Sequence, residues 1–180
     1  MIGTKMKTRQ TSKKQSQAGT TLLETMVALG LLLIIIVGVM SMTLAAIATT
    51  ENQGHLAART AEYAQDKMEQ LLSLSYGDTT SDTTVFPAAN SGGTGLAVGG
   101  GLSPTAPVSG YADYLDASGN LLTSVGGAAP TGWFYVRVWQ VTNPSTNLKQ
   151  ISVLAQTKTD AGPSGAVPRS TVVVLKTYPF

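Results

Sequence analysis

The chain of 180 residues has room for one modest domain and an extension, and its charged residues make up only 12%, which argues against a compact soluble globule. It contains no cysteine, which excludes disulfides and thiolate metal sites. Its net charge of +2 combines five basic residues and no acid before Gly19 with seven basic residues and ten acids after it. If the basic leader is removed, the rest of the chain carries about −3, and a phosphate-binding role loses its electrostatic basis.

A long apolar run follows the basic leader. The leader carries Lys5, Lys7, Arg9, Lys13 and Lys14, and the interval from Thr25 to Thr50 carries no charged residue. As a helix this interval would be roughly 39 Å long at about 1.5 Å per residue, enough to cross a hydrocarbon core of about 30 Å. Because basic flanks stay on the cytoplasmic side, the sequence predicts a single-pass membrane helix whose carboxyl-terminal domain lies outside the cytoplasm.

Glu24 stands at the head of this apolar run. A charged side chain inside a membrane costs about 2.5–3.5 kcal/mol on insertion scales, and it therefore usually has a partner and a function. The alternative is a glutamate that stays hydrated at the membrane surface. The residues that precede Glu24 favour the first interpretation.

The stretch AGTTLLE, residues 18–24, joins a small-residue cut site to a Thr-Leu-Leu-Glu start, between a basic leader and an uninterrupted apolar helix. It resembles the type IV prepilin processing motif, in which a glycine precedes the cut and glutamate is fifth in the mature chain. The resemblance implies that a prepilin peptidase cuts after Gly19 and methylates the new amino group of Thr20, where the family usually has phenylalanine. It also implies that Glu24 docks the subunit by neutralising the amine of an adjacent subunit.

The same resemblance implies a location and a set of partners. The chain would lie in the inner membrane as a single-pass protein with its carboxyl-terminal domain in the periplasm, and it would then enter an extracytoplasmic fibre. Its partners would be the prepilin peptidase, other pilin or pseudopilin subunits that pack helix to helix, the inner-membrane assembly platform, and membrane lipid before assembly. No cofactor and no direct binding of nucleic acid is implied.

A helical pattern continues beyond the apolar run. Small and apolar residues recur at spacings of three and four, namely Ala57, Ala61, Ala64, Met68, Leu71 and Ser75, with Leu72 and Leu74 beside them. Charged and amide side chains fall largely on other faces, namely Arg59, Glu62, Asp66, Lys67, Glu69 and Gln70. The resemblance implies a leader over 1–19 and a membrane or fibre-core helix over 20–50, and the spacing predicts an amphipathic continuation of that helix over 51–76.

The remainder of the chain divides into a glycine-rich part and a β-rich part. Residues 77–132 contain 12 of the 19 glycines and predict loops with short strands at most. Residues 133–180 predict an antiparallel meander with strands over 133–141, 148–157 and 170–178, separated by turn sequences. The expected fold class is α+β: a long amino-terminal helix packed on a three- or four-stranded antiparallel sheet, the order of elements found in pilins and pseudopilins.

Alternation in the first of these strands assigns its side chains to two faces. One face would hold Phe134, Val136 and Val138, and the other would hold Trp133, Tyr135, Arg137, Trp139 and Val141. We expect the sheet to cover the helix or a neighbouring subunit with its aromatic side chains.

Few residues suit catalysis or metal binding. His55 is the single histidine and is expected to be solvated or to face another subunit, and with no cysteine a zinc site is excluded. Two loops could gather oxygen ligands for calcium, one with Asp113, Asp116 and Asn120 and the other with Asp78 and Asp82. Neither has the spacing of an EF-hand, so solvated turns are the expected structure, and no catalytic residue and no metal site is assigned.

The sequence thus favours a structural subunit of a type IV pilus or a type II secretion-type filament, and specifically a minor pilin or minor pseudopilin. One alternative is a tip adhesin whose region 77–132 binds a surface, DNA or a secreted substrate. Another is a singly anchored periplasmic domain unrelated to fibres, for which replacing Glu24 by leucine would change nothing.

Overall fold

The computed structural model describes residues 22–123, 128–158 and 167–178. Its single long helix, α1, runs from Leu22 to Ser73, close to the predicted span. The chain divides into two compact units with the boundary between Ala45 and Ala46, and α1 contributes residues to both.

The first unit consists, in its described part, of the amino-terminal residues of α1. Hydroxyl side chains within the apolar run donate back to the helix, for example from Ser41 Oγ to the Val37 carbonyl and from Thr43 Oγ1 to the Val39 carbonyl, each at 2.9 Å. Each hydroxyl therefore finds an acceptor inside its own helix, which allows polar side chains in a segment that is otherwise apolar.

The second unit packs the carboxyl-terminal part of α1 on one antiparallel sheet. Its strands are β1 (Gly99–Gly100), β2 (Ala112–Leu115), β3 (Leu121–Leu122), β4 (Tyr135–Ser145), β5 (Leu148–Thr157) and β6 (Arg169–Thr177). They lie in the order β3-β2-β4-β5-β6, and β1 also pairs with β4. The α+β class is therefore confirmed as one long helix, apolar in its amino-terminal part, packed on a small antiparallel sheet.

The main core lies between α1 and the sheet. Tyr63, Met68 and Leu71 of α1 meet the aromatic and branched side chains of the two longest central strands. These strand residues are Tyr135, Trp139 and Val141 of β4 and Ile151 and Val153 of β5. A second, smaller core contains Val136 and Val138 of β4 together with Leu154 and Tyr114.

The meander agrees closely with prediction, and the glycine-rich region has the short strands expected of it, but the sheet contains more strands than the three or four predicted. β5 matches its predicted span, and β6 differs by one residue at each end. The sheet has six strands because residues 99–122 add three, of which β2 is wholly buried and pairs with β4. The expected turn after Val141 is displaced, since β4 continues to Ser145 through an irregularity that accommodates Pro144.

The predicted alternation in β4 is confirmed from Tyr135 to Val141, whose odd-numbered apolar residues face α1. The assignment of Trp133 and Phe134 was wrong: Trp133 packs with the smaller core and Phe134 with the main one. Both residues precede the first residue of β4, so the two-residue period of a strand does not govern where they point.

The prediction of which residues of α1 are buried was partly right. Ala64, Met68 and Leu71 are buried as predicted, whereas Ala57 is exposed. Lys67 and Gln70 had been assigned to the polar face and are in fact buried. Ser75 lies beyond the last residue of α1.

The carboxyl end of α1 is capped by lysines from the sheet. The last turn of the helix has no basic residue of its own. Lys176 of β6 donates to the carbonyls of Leu72 and Leu74, and Lys149 of β5 donates to the Tyr76 carbonyl at 2.7 Å. The Leu72 carbonyl belongs to the last turn of α1, and those of Leu74 and Tyr76 lie directly after it, so the two cations lie at the negative end of the helix dipole and oppose it.

Candidate functional site

The predicted processing residues Gly19 and Thr20 lie outside the described residues. Glu24 lies in the first turn of α1 and is exposed. A carboxylate in a first turn is favourably placed against the positive end of the helix dipole. Its position next to the apolar run is therefore compatible with the helix that carries it.

The apolar surface that follows Glu24 is extensive. Every Leu, Ile, Val and Met from Leu22 to Ile47 is more than half exposed. Soluble monomers rarely leave more than about 300–600 Å² of contiguous apolar surface in contact with water, so a surface of this kind requires a cover. In length and composition, this one helix is able to cross a membrane.

A buried ionic cluster joins α1 to the sheet. The Asp113 carboxylate accepts from Arg137 through two parallel hydrogen bonds, from Nε at 2.7 Å and from Nη2 at 2.9 Å. Its Oδ2 also lies 2.8 Å from Lys67 Nζ. The side chains of Lys67 and Asp113 are 0% and 1% exposed, so water screens neither charge.

Lys67 has a partner for each of its three protons. Besides Asp113, its ammonium donates to Gln70 Oε1 at 2.8 Å and to the Thr83 carbonyl. It also lies 4.2 Å from the ring centroid of Trp139, within the range of a cation–π contact. The cluster thus connects α1, β2, β4 and the loop that contains Thr83.

Burial and the charge of the ion-pair partner act in opposite directions on both Lys67 and Asp113. Burial lowers the pKa of the Lys67 ammonium to about 8, although the Asp113 charge opposes that shift. Burial alone would raise the pKa of the Asp113 carboxyl, but the charges of Lys67 and Arg137 outweigh it and hold that pKa below its usual value. With two cations and one anion, the cluster carries a net positive charge at neutral pH.

The two candidate calcium loops have other roles. Asp113 lies in buried β2 rather than in a solvated turn, and its carboxylate is occupied by Lys67 and Arg137, so that expectation was wrong for this residue. Asp116 does form a turn, in which its carboxylate accepts from Asn120.

The second loop is organised in the same way. Asp78 accepts from the backbone of Thr80 and Ser81, and Asp82 accepts from Thr84. His55 is exposed on α1, as expected. No group of three or more His, Cys, Asp or Glu side chains in the described ranges could hold a metal ion.

The sequence contained a signal for the ionic cluster that the face assignment missed. Lys67 lies three residues after Ala64 and four before Leu71, so it shares their buried stripe. Arg137 had been assigned to the same strand face as Tyr135 and Trp139, and that face proves to be the one covered by α1. A cation on each of two facing apolar surfaces indicates that an anion must be buried between them.

Comparison of the chain with protein-family models, with curated proteins and with solved structures finds no match.

Proposed function

We propose that this chain is a structural subunit of a type IV pilin-like filament, held in the inner membrane by α1 before assembly and processed after Gly19 by a prepilin peptidase. The observation that carries the proposal is the uncovered apolar surface from Leu22 to Ile47 with Glu24 in its first turn. Catalysis is not part of this role.

The apolar surface suits two successive environments. Lipid would cover it before assembly, and the equivalent helices of other subunits would cover it afterwards. The exposed side chains surround the helix instead of forming a narrow stripe, because six consecutive residues from Leu31 to Ile36 are all exposed. A helix that is apolar on all sides needs cover on all sides, which a fibre core provides and a single neighbouring domain does not.

In this proposal the Glu24 carboxylate aligns each subunit with the next one in the fibre. Cleavage after Gly19 would create an amino group at Thr20, and the carboxylate of one subunit would neutralise the amine of the next. Each charge is unfavourable by itself in a medium of low dielectric constant, and the pair is favourable only where two subunits are correctly aligned. The assembly platform would present subunits in that alignment.

The test is the intact mass of the membrane-extracted protein, with amino-terminal sequencing, from cells with and without the prepilin peptidase. The proposal expects a peptidase-dependent start at Thr20, with or without one added methyl group. A chain that still begins at Met1 when the peptidase is present would refute it and would leave a singly anchored periplasmic domain.

Substitution of Glu24 tests its docking role separately. Glu24→Gln should leave the amount of protein in the membrane unchanged and should strongly reduce the amount in sheared filaments, because the amide cannot neutralise an amine. Glu51→Gln is the matched control, since Glu51 is an exposed acid at the other end of the uncharged segment. Equal filament yields for the two variants would contradict the role of Glu24.

A further inference from the structure

We propose that the second unit docks laterally on a second copy of this chain, with the Phe86 face of one copy against the β6 face of the next. The Phe86 face consists of Glu62, Asp66, Glu69 and Phe86, and the β6 face consists of Arg169, Val173 and Leu175. The inference deepens the proposed function, on which it rests for the expectation that copies lie side by side in a membrane or fibre.

The Phe86 face is an aromatic side chain beside an acidic helix stripe. Phe86 is 78% exposed, and with Asp66 and Glu69 it borders a groove of about 580 Å³ whose walls also include Leu115 and Leu121. Glu62 continues the acidic stripe, since residues 62, 66 and 69 follow helical spacing and all three are exposed, and it also forms an exposed ion pair with Arg59 at 3.2 Å. An exposed aromatic next to a groove is a common anchor of protein interfaces.

The loop that carries Phe86 is fixed to the core. Gln70 Nε2 donates to the Val85 carbonyl at 2.6 Å, and Lys67 donates to the Thr83 carbonyl. The backbones of Asp82 and Ala89 exchange two hydrogen bonds across the base of the loop, at 2.8 and 3.0 Å. Phe86 is thus presented by a loop that is already ordered, so docking would cost little conformational entropy.

The β6 face is apolar with a cation at one end. β6 ends the strand order, and β5 is its single partner among the described strands. Its side chains alternate, with Val172 and Val174 turned toward the core and Val173 and Leu175 exposed at 54% and 56%. Arg169 is exposed at the beginning of the same strand.

The two faces lie at opposite ends of the sheet and at matching heights along α1. Ser170 Oγ lies 3.0 Å from Thr60 Oγ1, and Lys176 Nζ donates to the Leu72 carbonyl at 2.6 Å, so β6 runs beside residues 60–72 of the helix. The two segments have nearly the same length: six residues of a strand rise about 3.3 Å each, and twelve residues of a helix rise about 1.5 Å each.

Because β6 and the adjacent part of α1 cover the same distance, each residue of β6 can be assigned a level along the helix. By proportion, Leu175 lies at the level of Gln70, which holds the loop of Phe86, and Arg169 lies within about 6 Å of the level of Glu62. A copy placed alongside with an axial shift of at most about 6 Å would therefore set Phe86 against Val173 or Leu175 and would set Arg169 near Glu62. Because the two faces differ, the contact is head-to-tail, and repeating it extends an assembly instead of closing a twofold dimer.

The contact is expected to be weak in isolation. A few side chains bury less than the roughly 1,200–2,000 Å² of a stable interface. Anchoring both copies through α1 would raise their effective concentration, which compensates for a small contact area. The experiment therefore requires the full chain in its membrane.

The absence of cysteine allows a clean crosslinking test. Two tagged forms are co-expressed, one with Val85→Cys beside Phe86 and the other with Thr171→Cys between Arg169 and Val173, and membranes are treated with a short thiol-to-thiol crosslinker. Both positions are exposed. Ser145→Cys, exposed at the end of β4 and off both faces, replaces Thr171→Cys in the control.

The proposal expects a Val85–Thr171 product about tenfold above the Val85–Ser145 control, which corresponds to about 1.4 kcal/mol. When both tagged forms carry the same substitution, either Val85→Cys or Thr171→Cys, the amount of crosslinked product should stay at the control level. Phe86→Ala, Glu62→Arg and Arg169→Glu should each reduce the product, and the last two combined should restore it to within about twofold. All three residues are exposed, so these variants are expected to fold.

A Val85–Thr171 product no higher than the control, in membranes where the chain begins at Thr20, would overturn this contact and leave the proposed function intact. Failure of the double charge exchange to restore the product would equally overturn it. A chain that begins at Met1 would refute the proposed function instead. That outcome is detected by the intact mass of the chain and does not depend on the crosslinking result.

Discussion

Replacement of Asp113 should destabilise the second unit far more than replacement of Lys67. Asp113→Asn removes the one anion of the buried cluster and leaves the Lys67 and Arg137 cations facing a neutral amide at their former distances of 2.7 to 2.9 Å. Lys67→Met removes one of the two cations and leaves Asp113 and Arg137 as a neutral pair held by two hydrogen bonds. The charge balance of the cluster therefore sets the order of the two effects.

The magnitudes follow from burial. An uncompensated charge in a site with almost no exposure costs about 3–5 kcal/mol, and this is the expected cost of Asp113→Asn. Lys67→Met leaves the Gln70 and Thr83 acceptors without their donor, which costs about 1–3 kcal/mol, but it also removes the desolvation of an ammonium group. We expect a net cost below about 2 kcal/mol for Lys67→Met.

The assay is denaturant unfolding of the full-length chain in detergent, followed by tryptophan fluorescence and far-ultraviolet circular dichroism. Trp139 is fully buried beneath the Lys67 ammonium and should report loss of the cluster directly. Asp66→Asn is the control, because this exposed acid adjoins Lys67 in sequence and its loss should change the free energy of unfolding by at most about 0.5 kcal/mol. Equal destabilisation by Lys67→Met and Asp113→Asn would refute the reasoning from net charge.

Two further predictions use the same unfolding assay. Since the pKa of Lys67 is about 8 in the folded chain and near 10.5 in the unfolded one, the unfolded chain binds more protons between these values, and the free energy of unfolding should rise with pH across that window. The Lys67→Met variant lacks this contribution. Between pH 8 and 10.5 the free energy of unfolding of the unsubstituted chain should therefore rise by up to about 3 kcal/mol relative to that of the variant. The same pH dependence in both proteins would contradict the prediction. Lys176→Met should cost about 1 kcal/mol and speed amide exchange in the last turn of α1, whereas Thr177→Ala, at an exposed neighbour, should do neither.

The sequence predicted those elements that are long runs of strand-forming residues and whose partners are near in the chain. β5 and β6 extend over nine or ten residues on either side of a strong turn signal, and their spans agree with prediction within one residue. β2 has four residues in a glycine-rich region, and its burial depends on pairing with β4, twenty or more residues away. A pattern this short carries too little periodicity to reveal a partner at that distance.

The buried charges were missed for a related reason. A lysine on an amphipathic helix is ordinarily placed on its polar face, and this rule outweighed the spacing that sets Lys67 between Ala64 and Leu71. The rule fails where tertiary structure supplies an anion, and here that anion comes from Asp113 on β2. The error over Lys67 and the unpredicted pairing of β2 with β4 therefore have one cause, because β2 brings the carboxylate that makes the burial of Lys67 possible.

The contacts that Lys67 makes with the loop of Phe86 offer a reason for a buried cluster with a net positive charge in the second unit. An apolar replacement could fill the same volume, but it would not hold the loop of Phe86, which depends on the Lys67 donation to Thr83 and the Gln70 donation to Val85. We expect polar contacts of this kind to favour one position of the loop, because hydrogen bonds are directional and apolar packing is not. If Phe86 anchors a neighbouring copy, the energetic cost of burying Lys67 is offset by a contact surface that is ordered before assembly begins.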